Sequence, residues 1–292
     1  MTTPGLSVVI ASWGSETLLN QCLASLAAQR DDAEVIVASA LPADTLARVQ
    51  QEYPWVRIEG VPEASVFVLR ARGASQARGA LIAILEDHVT VVPRWAQALR
   101  AAHAAGHGIL GGPVDNGLTC SAVDWALYFV EYGLHMPPTS EGLVPAVSGV
   151  NVAYDAALLH DCRAIWTTEF HENEVNDALA ARHGPPWMVP DAQVATHLPM
   201  SLVGAMRHLF DGGRQYAGYR VQPMTTISRA MRIVATPLVP LVLHARIARR
   251  VLQRQPGRRW WLLRSAAATL TMLVAWATGE LAGYAWPADG SS

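Results

Sequence analysis

Apolar residues recur along the first ninety positions in two alternating rhythms. Ser7 to Ala11 (SVVIA) and Glu34 to Ala38 (EVIVA) are short β-branched runs without regular polar alternation, the pattern of strands covered on both faces in a parallel sheet. Between them, Leu18, Leu19, Cys22, Leu23, Leu26 and Ala27 fall on one helical stripe, and Ser15 stands where a cap belongs. A third run, Ala80 to Leu85 (ALIAIL), follows a helix-like segment from Ala71 to Arg78 and stops at Glu86-Asp87-His88. Strand, helix, strand, helix, strand predicts right-handed crossovers and an α/β fold, with a mostly parallel open sheet flanked by helices. Ligands collect at the carboxyl ends of such strands. Ser12-Trp13-Gly14, Ser39-Ala40 and Glu86-Asp87-His88 become candidates by position alone.

The rhythm changes beyond about residue 215. Ile233 to Leu243 is apolar but holds Pro237 and Pro240, and its dozen residues fall short of the roughly 20 a spanning helix needs. It reads as an interfacial segment or a shallow hairpin. Ser265 to Ala285 is long enough to cross, with Trp276 and Trp286 as belt residues, although Glu280 is costly in hydrocarbon. From Arg246 to Arg264 the chain carries seven arginines and no acid. The expected division is a body over residues 1–215 and a membrane-associated helical tail over 216–292. Two ordinary amphipathic helices folded onto the body are the bland alternative. Trp125, Leu127, Tyr128, Phe129, Tyr132 and Leu134, before Pro137-Pro138, read as core packing first and as a greasy acceptor groove second.

Composition narrows the chemistry. A 51% hydrophobic share with 16% charged residues excludes a disordered chain of 292 residues. All 22 basic residues are Arg, so a Walker-type loop, a Schiff base and a lysine general base are absent. A net charge of -2 gives no bulk attraction to nucleic acid, which is not an expected partner. Cys22, Cys120 and Cys162 lack metal or redox spacing and are expected as unpaired thiols. The short apolar run Leu6–Ala11, without a preceding basic stretch, does not read as a signal peptide.

Two acidic groups remain. Glu86-Asp87-His88 ends a buried run and sets hard oxygen ligands beside an imidazole, which suits Mn2+ or Mg2+ bridging a diphosphate, although a solvated turn accounts for the same tripeptide. Glu169, Glu172 and Glu174 in TTEFHENEVNDAL open a helix whose apolar side is Val175 and Leu179. The helix dipole favours acids there without any function, but one of them is placed to act as a general base.

In order, SVVIASWG, EVIVAS, LRARGASQARGALIAILEDHV, PRW, GGPVDNG, SGVNVAYDAALL, HENEVNDALAARHG and PDAQVATH resemble the nucleotide-sugar glycosyltransferases of family 2, with the GT-A fold, over about residues 5 to 200. The resemblance implies an inverting transfer of sugar from a nucleoside-diphosphate sugar to a hydroxyl acceptor, lipid-linked or a cell-envelope glycan. It places Ala11, Trp13, Ser39, Arg70, Arg72, Glu86 and Asp87 at the nucleotide, with Arg214 as a further diphosphate contact beside Tyr216. Asp87, His88 and His197 become the ligands of Mn2+ or Mg2+, His88 giving an EDH variant of the family's DxD. Gly149 and Asn151 would line the sugar and acceptor, and Glu172 would be the catalytic base, with Glu174 its alternative. Ser39 replaces the acid that reads the nucleotide base in the family. Nucleotide sugars are cytoplasmic, so the body is expected on the cytoplasmic face of the membrane, beside the arginines. A degenerate GT-A body serving as a membrane-tethered scaffold is the competing reading; a nucleotidyltransferase is disfavoured because no glycine-rich, Lys-containing loop is present.

Overall fold

The computed structural model describes residues 5–30, 33–221 and 224–286. These form two compact units, Met1–Gly117 with His135–Leu198, and Leu118–Leu134 with Pro199–Ser292. The expected division at 215 falls inside the helix Leu202–Val221, and the aromatic segment around Trp125 belongs with the later helices.

In the first unit the strands are β1 (Leu6–Ser12), β2 (Ala33–Ser39), β3 (Arg57–Gly60), β4 (Leu81–Glu86), β5 (Val89–Val91), β6 (Ile109–Gly111), β7 (Val114–Asn116), β8 (Gly142–Leu143), β9 (Asn151–Asp155), β10 (Trp187–Met188) and β11 (Val194–Thr196). Eight of them make one sheet in the order β3-β2-β1-β4-β9-β6-β10-β8, and β5-β11-β7 make a second. β3, β2, β1 and β4 run parallel, whereas β9 is antiparallel to both neighbours. Every residue of β1 and β4 is buried, which is why neither run alternates with polar residues.

Register aligns the strand ends. Ser12 lies opposite Ser39, and Ala11 opposite both Ala38 and Glu86, so the three segments chosen by position share one edge. The helix after β1, Glu16–Ala27, is capped by Ser15, whose hydroxyl accepts from the Leu18 amide at 3.2 Å. The helix Val66–Gln76 starts earlier than its sequence pattern indicates, capped by Ser65, and Gly73 lets it approach β1: a Cβ there would overlap Val9. That approach carries Arg70 to the edge of the sheet.

The second unit is helical: Ala122–Glu131, Leu202–Val221, Thr226–Ala235, Val239–Arg254 and Arg259–Ala285. Trp125, Tyr128 and Phe129 are fully buried, and Trp125 stacks on Trp261 with ring centres 5.5 Å apart, so the core reading holds for the stripe through Tyr132, whereas Leu134 is exposed. Ala126, Leu127, Ala205, Leu209 and Met272 form one cluster. The helices Leu202–Val221 and Arg259–Ala285 meet through glycines. A Cβ at Gly279 would overlap the Phe210 carbonyl, and one at Gly283 would sit 2.6 Å from the Arg214 carbonyl, the close approach that a small-x-x-x-small spacing permits. Glu280, between them, is buried and accepts from the Tyr284 hydroxyl at 3.1 Å.

Two helical runs are long and apolar enough to cross a membrane, Thr226–Arg254 (29 residues) and Pro256–Ala285 (30 residues). The first exceeds the dozen residues expected from Ile233–Leu243, because Pro237 and Pro240 fall in the opening turns of a 3-10 segment (Thr236–Leu238) and of Val239–Arg254. A missing N–H interrupts nothing at such positions. Gly279→Leu should lower the stability of the full chain by about 2 kcal/mol or more through overpacking, read as an earlier thermal unfolding midpoint; an unchanged midpoint would mean that the glycine contact contributes nothing.

Candidate active site

The site is built on the aligned ends of β1, β2 and β4. Glu86 closes β4, and Asp87 is tied back to β1 by its amide, which donates to the Ala11 carbonyl at 3.1 Å. These neighbouring acids meet opposite surroundings. The Trp13 indole N–H donates to Glu86 Oε2 at 3.0 Å, and the Arg70 guanidinium bonds Glu86 Oε1. Burial would raise the Glu86 carboxyl, but Arg70, His88 and these hydrogen bonds outweigh it and hold it below the ordinary carboxylate range. Asp87 Oδ2 accepts from the Ser12 hydroxyl at 3.0 Å and from the Gly14 amide at 2.8 Å. Its Oδ1 is buried with no hydrogen-bond partner among the described residues. Burial dominates here and raises the Asp87 carboxyl despite the bonds from Gly14 and Ser12.

His88 is buried, with Nδ1 3.5 Å from Glu86 Oε2 and 3.9 Å from Asp87 Oδ1, and the half-exposed Trp13 ring stands edge-on to it. Its carbonyl accepts from the His197 amide at 2.6 Å. The expected ligands Asp87, His88 and His197 are thus brought to one neighbourhood. His197 Nε2, however, is hydrogen-bonded to Thr90 Oγ1 at 2.9 Å, and burial and nearby His88 push the imidazole below its usual value. Among the described residues no group of three or more His, Cys, Asp or Glu side chains is arranged to hold a metal ion.

Arg70 connects this edge to the later helix. Its side chain is 5% exposed, and besides Glu86 it bonds the carboxylate of Glu172, the first residue of the helix Glu172–His183. Burial works against the charge of Arg70, but the two carboxylates outweigh it and raise the guanidinium still further. The Phe170 amide donates to the Phe67 carbonyl at 2.9 Å, and the Tyr154 hydroxyl to Asn176 Oδ1 at 2.9 Å, so both ends of the pair sit on braced backbone. Gly149 faces Glu172: a Cβ there would meet its side chain at 2.8 Å.

Other expected residues have different surroundings. Asn151 is buried and committed to the frame, with Oδ1 accepting from the Trp95 indole at 3.0 Å and Nδ2 donating to the Ala192 and Pro113 carbonyls. Arg72 is exposed and lies 3.9 Å from Glu59. Ser39 is buried, its hydroxyl accepting from the Leu41 amide, and Glu174 is half-buried in the first turn of its helix. Arg214 and Tyr216 belong to the second unit, where both are exposed and Tyr216 accepts from Arg220. The sequence marked Ser12 and Gly14 only by position, and their hold on Asp87 had no signal beyond it. The Arg70–Glu172 bridge, spanning 102 positions, had no local signal at all.

The family model described as glycosyl transferase family 2 matches residues 7–159, which are 153 of the 292 residues. The chain belongs to glycosyl transferase family 2. This family 2 chain is accordingly a glycosyltransferase, and its open, mostly parallel sheet is the GT-A fold. No curated protein matches it in sequence. Among solved structures it is similar to the mannosyltransferase PcManGT from Pyrobaculum calidifontis in complex with GDP-Man and Mn2+, at 15% identity and a TM-score of 0.51, covering 92% of this chain and 74% of that one. It is also similar to S. aureus TarS 1-349, at 14% identity and a TM-score of 0.52, covering 95% and 90%. TarS 1-349 in complex with UDP-GlcNAc gives 13% identity and a TM-score of 0.51 over the same shares. At these identities the likeness is one of fold.

Replacing Arg70 with Gln leaves Glu86 and Glu172 without their common cation. It should lower stability by about 3–5 kcal/mol in chemical denaturation, with much of the loss recovered when Glu86→Gln is added. Equal midpoints for Arg70→Gln and the native chain would remove the bridge from this account.

Proposed function

We propose that the chain is an inverting glycosyltransferase that moves a sugar from a nucleoside-diphosphate sugar to a hydroxyl acceptor, lipid-linked or a cell-envelope glycan. The observation that carries the reading is the buried bridge from Glu86 through Arg70 to Glu172, which sets a carboxylate of a later helix beside the strand edge where a nucleotide belongs. The donor lies against Ala11, Trp13, Ser39, Glu86 and Asp87. Glu172 accepts the acceptor hydroxyl proton, the freed oxygen bonds the anomeric carbon from the side opposite the diphosphate, and the sugar–phosphate bond breaks, its electron pair leaving with the nucleoside diphosphate. Arg70 holds Glu172 in place through their ion pair, a contact that Glu174 does not share among the described residues.

The residues fit a divalent cation, Mn2+ or Mg2+, in part. Asp87 Oδ1 is buried and offers an oxygen that no hydrogen bond fills, with the His88 imidazole next to it. Cations of this kind commonly take one or two carboxylates and complete their shell with substrate phosphates, so a full protein cage is not required. When bound, the ion neutralises charge on the departing diphosphate. The relatives solved with GDP-Man and Mn2+ and with UDP-GlcNAc support the donor class.

The enzyme works at the cytoplasmic membrane with its catalytic unit on the cytoplasmic face. Arginine-rich connections stay cytoplasmic, and a double crossing that kept Arg246–Arg264 inside would export the catalytic part. Thr226–Arg254 therefore lies in the interface. Its exposed Ile227, Met231, Val234, Leu238 and Leu241 recur every three or four residues, an apolar face suited to that depth.

Glu172→Gln should lower sugar transfer by about two to four orders of magnitude while nucleotide-sugar binding, measured calorimetrically over a donor panel with Mn2+, stays unchanged. A fully active variant would move the base elsewhere. In flotation assays the purified chain should rise with phosphatidylglycerol-containing vesicles, and less so with phosphatidylcholine or at high salt; absence from the lipid fraction under all conditions would defeat the membrane reading.

A further inference from the structure

The second unit holds a cavity of about 410 Å³ lined by its own residues. One wall is a stripe of the helix Val239–Arg254: Val239, Leu243 and Ile247, then Arg246 and Arg250 toward the arginine-rich connection. Leu209, Leu273 and Trp276 face that stripe. The wall thus runs from Val239 and Leu243 to Arg246 and Arg250, with Ile247 between the two arginines. Arg246 and Arg250 lie one turn apart on the same helix face, where like charges oppose each other. Among the described residues neither makes a hydrogen bond or an ion pair. The cavity also carries two acids, each with a partner of its own: Glu131 lies 3.5 Å from His208, and Glu280 accepts from Tyr284. Arg246 and Arg250 thus bring two guanidinium groups to the wall without a side-chain partner of their own among the described residues.

We propose that this cavity binds the phosphate and first methylenes of one lipid phosphate, the phosphate between Arg246 and Arg250 and the chain along Val239, Leu243 and Ile247. Planar guanidinium forks match phosphate oxygens in pairs, and desolvation by the apolar wall strengthens that contact. The volume lies in the range of about 300–1,000 Å³ found for small-molecule sites. A phosphate-bearing acceptor lipid and a bilayer phospholipid share this chemistry. An acceptor lipid as the source rests on the proposed transfer, whereas the phosphate contact itself is read from binding alone.

The test is calorimetric titration of the full chain in neutral detergent with decyl phosphate below its micellar concentration, and with inorganic phosphate, decyl maltoside and dihexanoyl phosphatidylglycerol as separate arms. One equivalent of decyl phosphate should bind. Arg246→Gln with Arg250→Gln should weaken it by about tenfold or more, while nucleotide-sugar binding stays unchanged. Arg246→Lys with Arg250→Lys should retain part of the affinity. Inorganic phosphate and decyl maltoside should bind at least as weakly as the glutamine variant does. A preference for decyl phosphate over the phosphatidylglycerol marks an acceptor-like monoester as the source, and the reverse order marks a bilayer lipid. Should the glutamine variant fail to fold, Leu243→Trp, which fills the apolar end, should also abolish decyl phosphate binding. Equal binding of decyl phosphate and decyl maltoside, or variants that bind as the native chain does, would overturn the proposal.

Discussion

A single buried guanidinium organises the first unit. Arg70 is 5% exposed and answers two carboxylates, Glu86 at the end of β4 and Glu172 at the start of the helix Glu172–His183. Taking three charges out of water is costly, and the cost is offset only where geometry is good and the remaining polar atoms are satisfied. That requirement fixes several things together. The helix Val66–Gln76 must come close to β1, which Gly73 permits. The loop before Glu172 must hold its position, which the Phe170–Phe67 backbone bond secures. A chain that met neither condition would leave an unanswered charge in its interior, so the bridge selects the arrangement in which the end of β4 and the carboxylate of Glu172 share one guanidinium.

Glu86 and Asp87 show how surroundings, rather than residue type, divide roles. Adjacent in the chain and both buried, they differ in what they touch. Glu86 has an arginine and an indole donor, and its charge is held. Asp87 has a hydroxyl and an amide on one oxygen and no donor on the other. A carboxylate so placed is incomplete on its own. Glu86 is not, because Arg70 and Trp13 already answer both of its oxygens. The frame thus anchors one acid and leaves an oxygen of the other open without any difference in local sequence.

Much of the first unit was legible because its signals are local. β-Branched runs, the Ser15 cap and the abrupt end of ALIAIL depend on residues a few positions apart, and the strand ends they predict are those that meet. Side-chain partners were less legible. Asn151 carries the same polar groups whether it touches substrate or braces Trp95, and only packing distinguishes the two. Arg70 and Arg72 are two residues apart, yet on a helix that spacing turns them to different sides, one to the buried acids and the other to Glu59. The boundary of the second unit escaped for a related reason: the helix Ala122–Glu131 is separated from its partners by about seventy residues of sheet-forming chain, and only its aromatic side chains show where it packs.

In the helix Arg259–Ala285 one sequence pattern serves two solvents. Averaged along its length it is apolar enough for lipid, and Glu280 looks like an expensive intruder. Packing separates the sides. Gly279, Glu280 and Gly283 face the helix Leu202–Val221, Glu280 is buried, and Tyr284 supplies its hydrogen bond. Trp260, Leu263, Leu270 and Val274 are exposed at spacings of three, seven and four, a stripe along one side of the helix. Arg258 and Arg259 precede that stripe, and Arg264 lies within it with its guanidinium over the Trp260 and Trp261 rings. That exposed apolar side is one of the features on which the proposed membrane association rests.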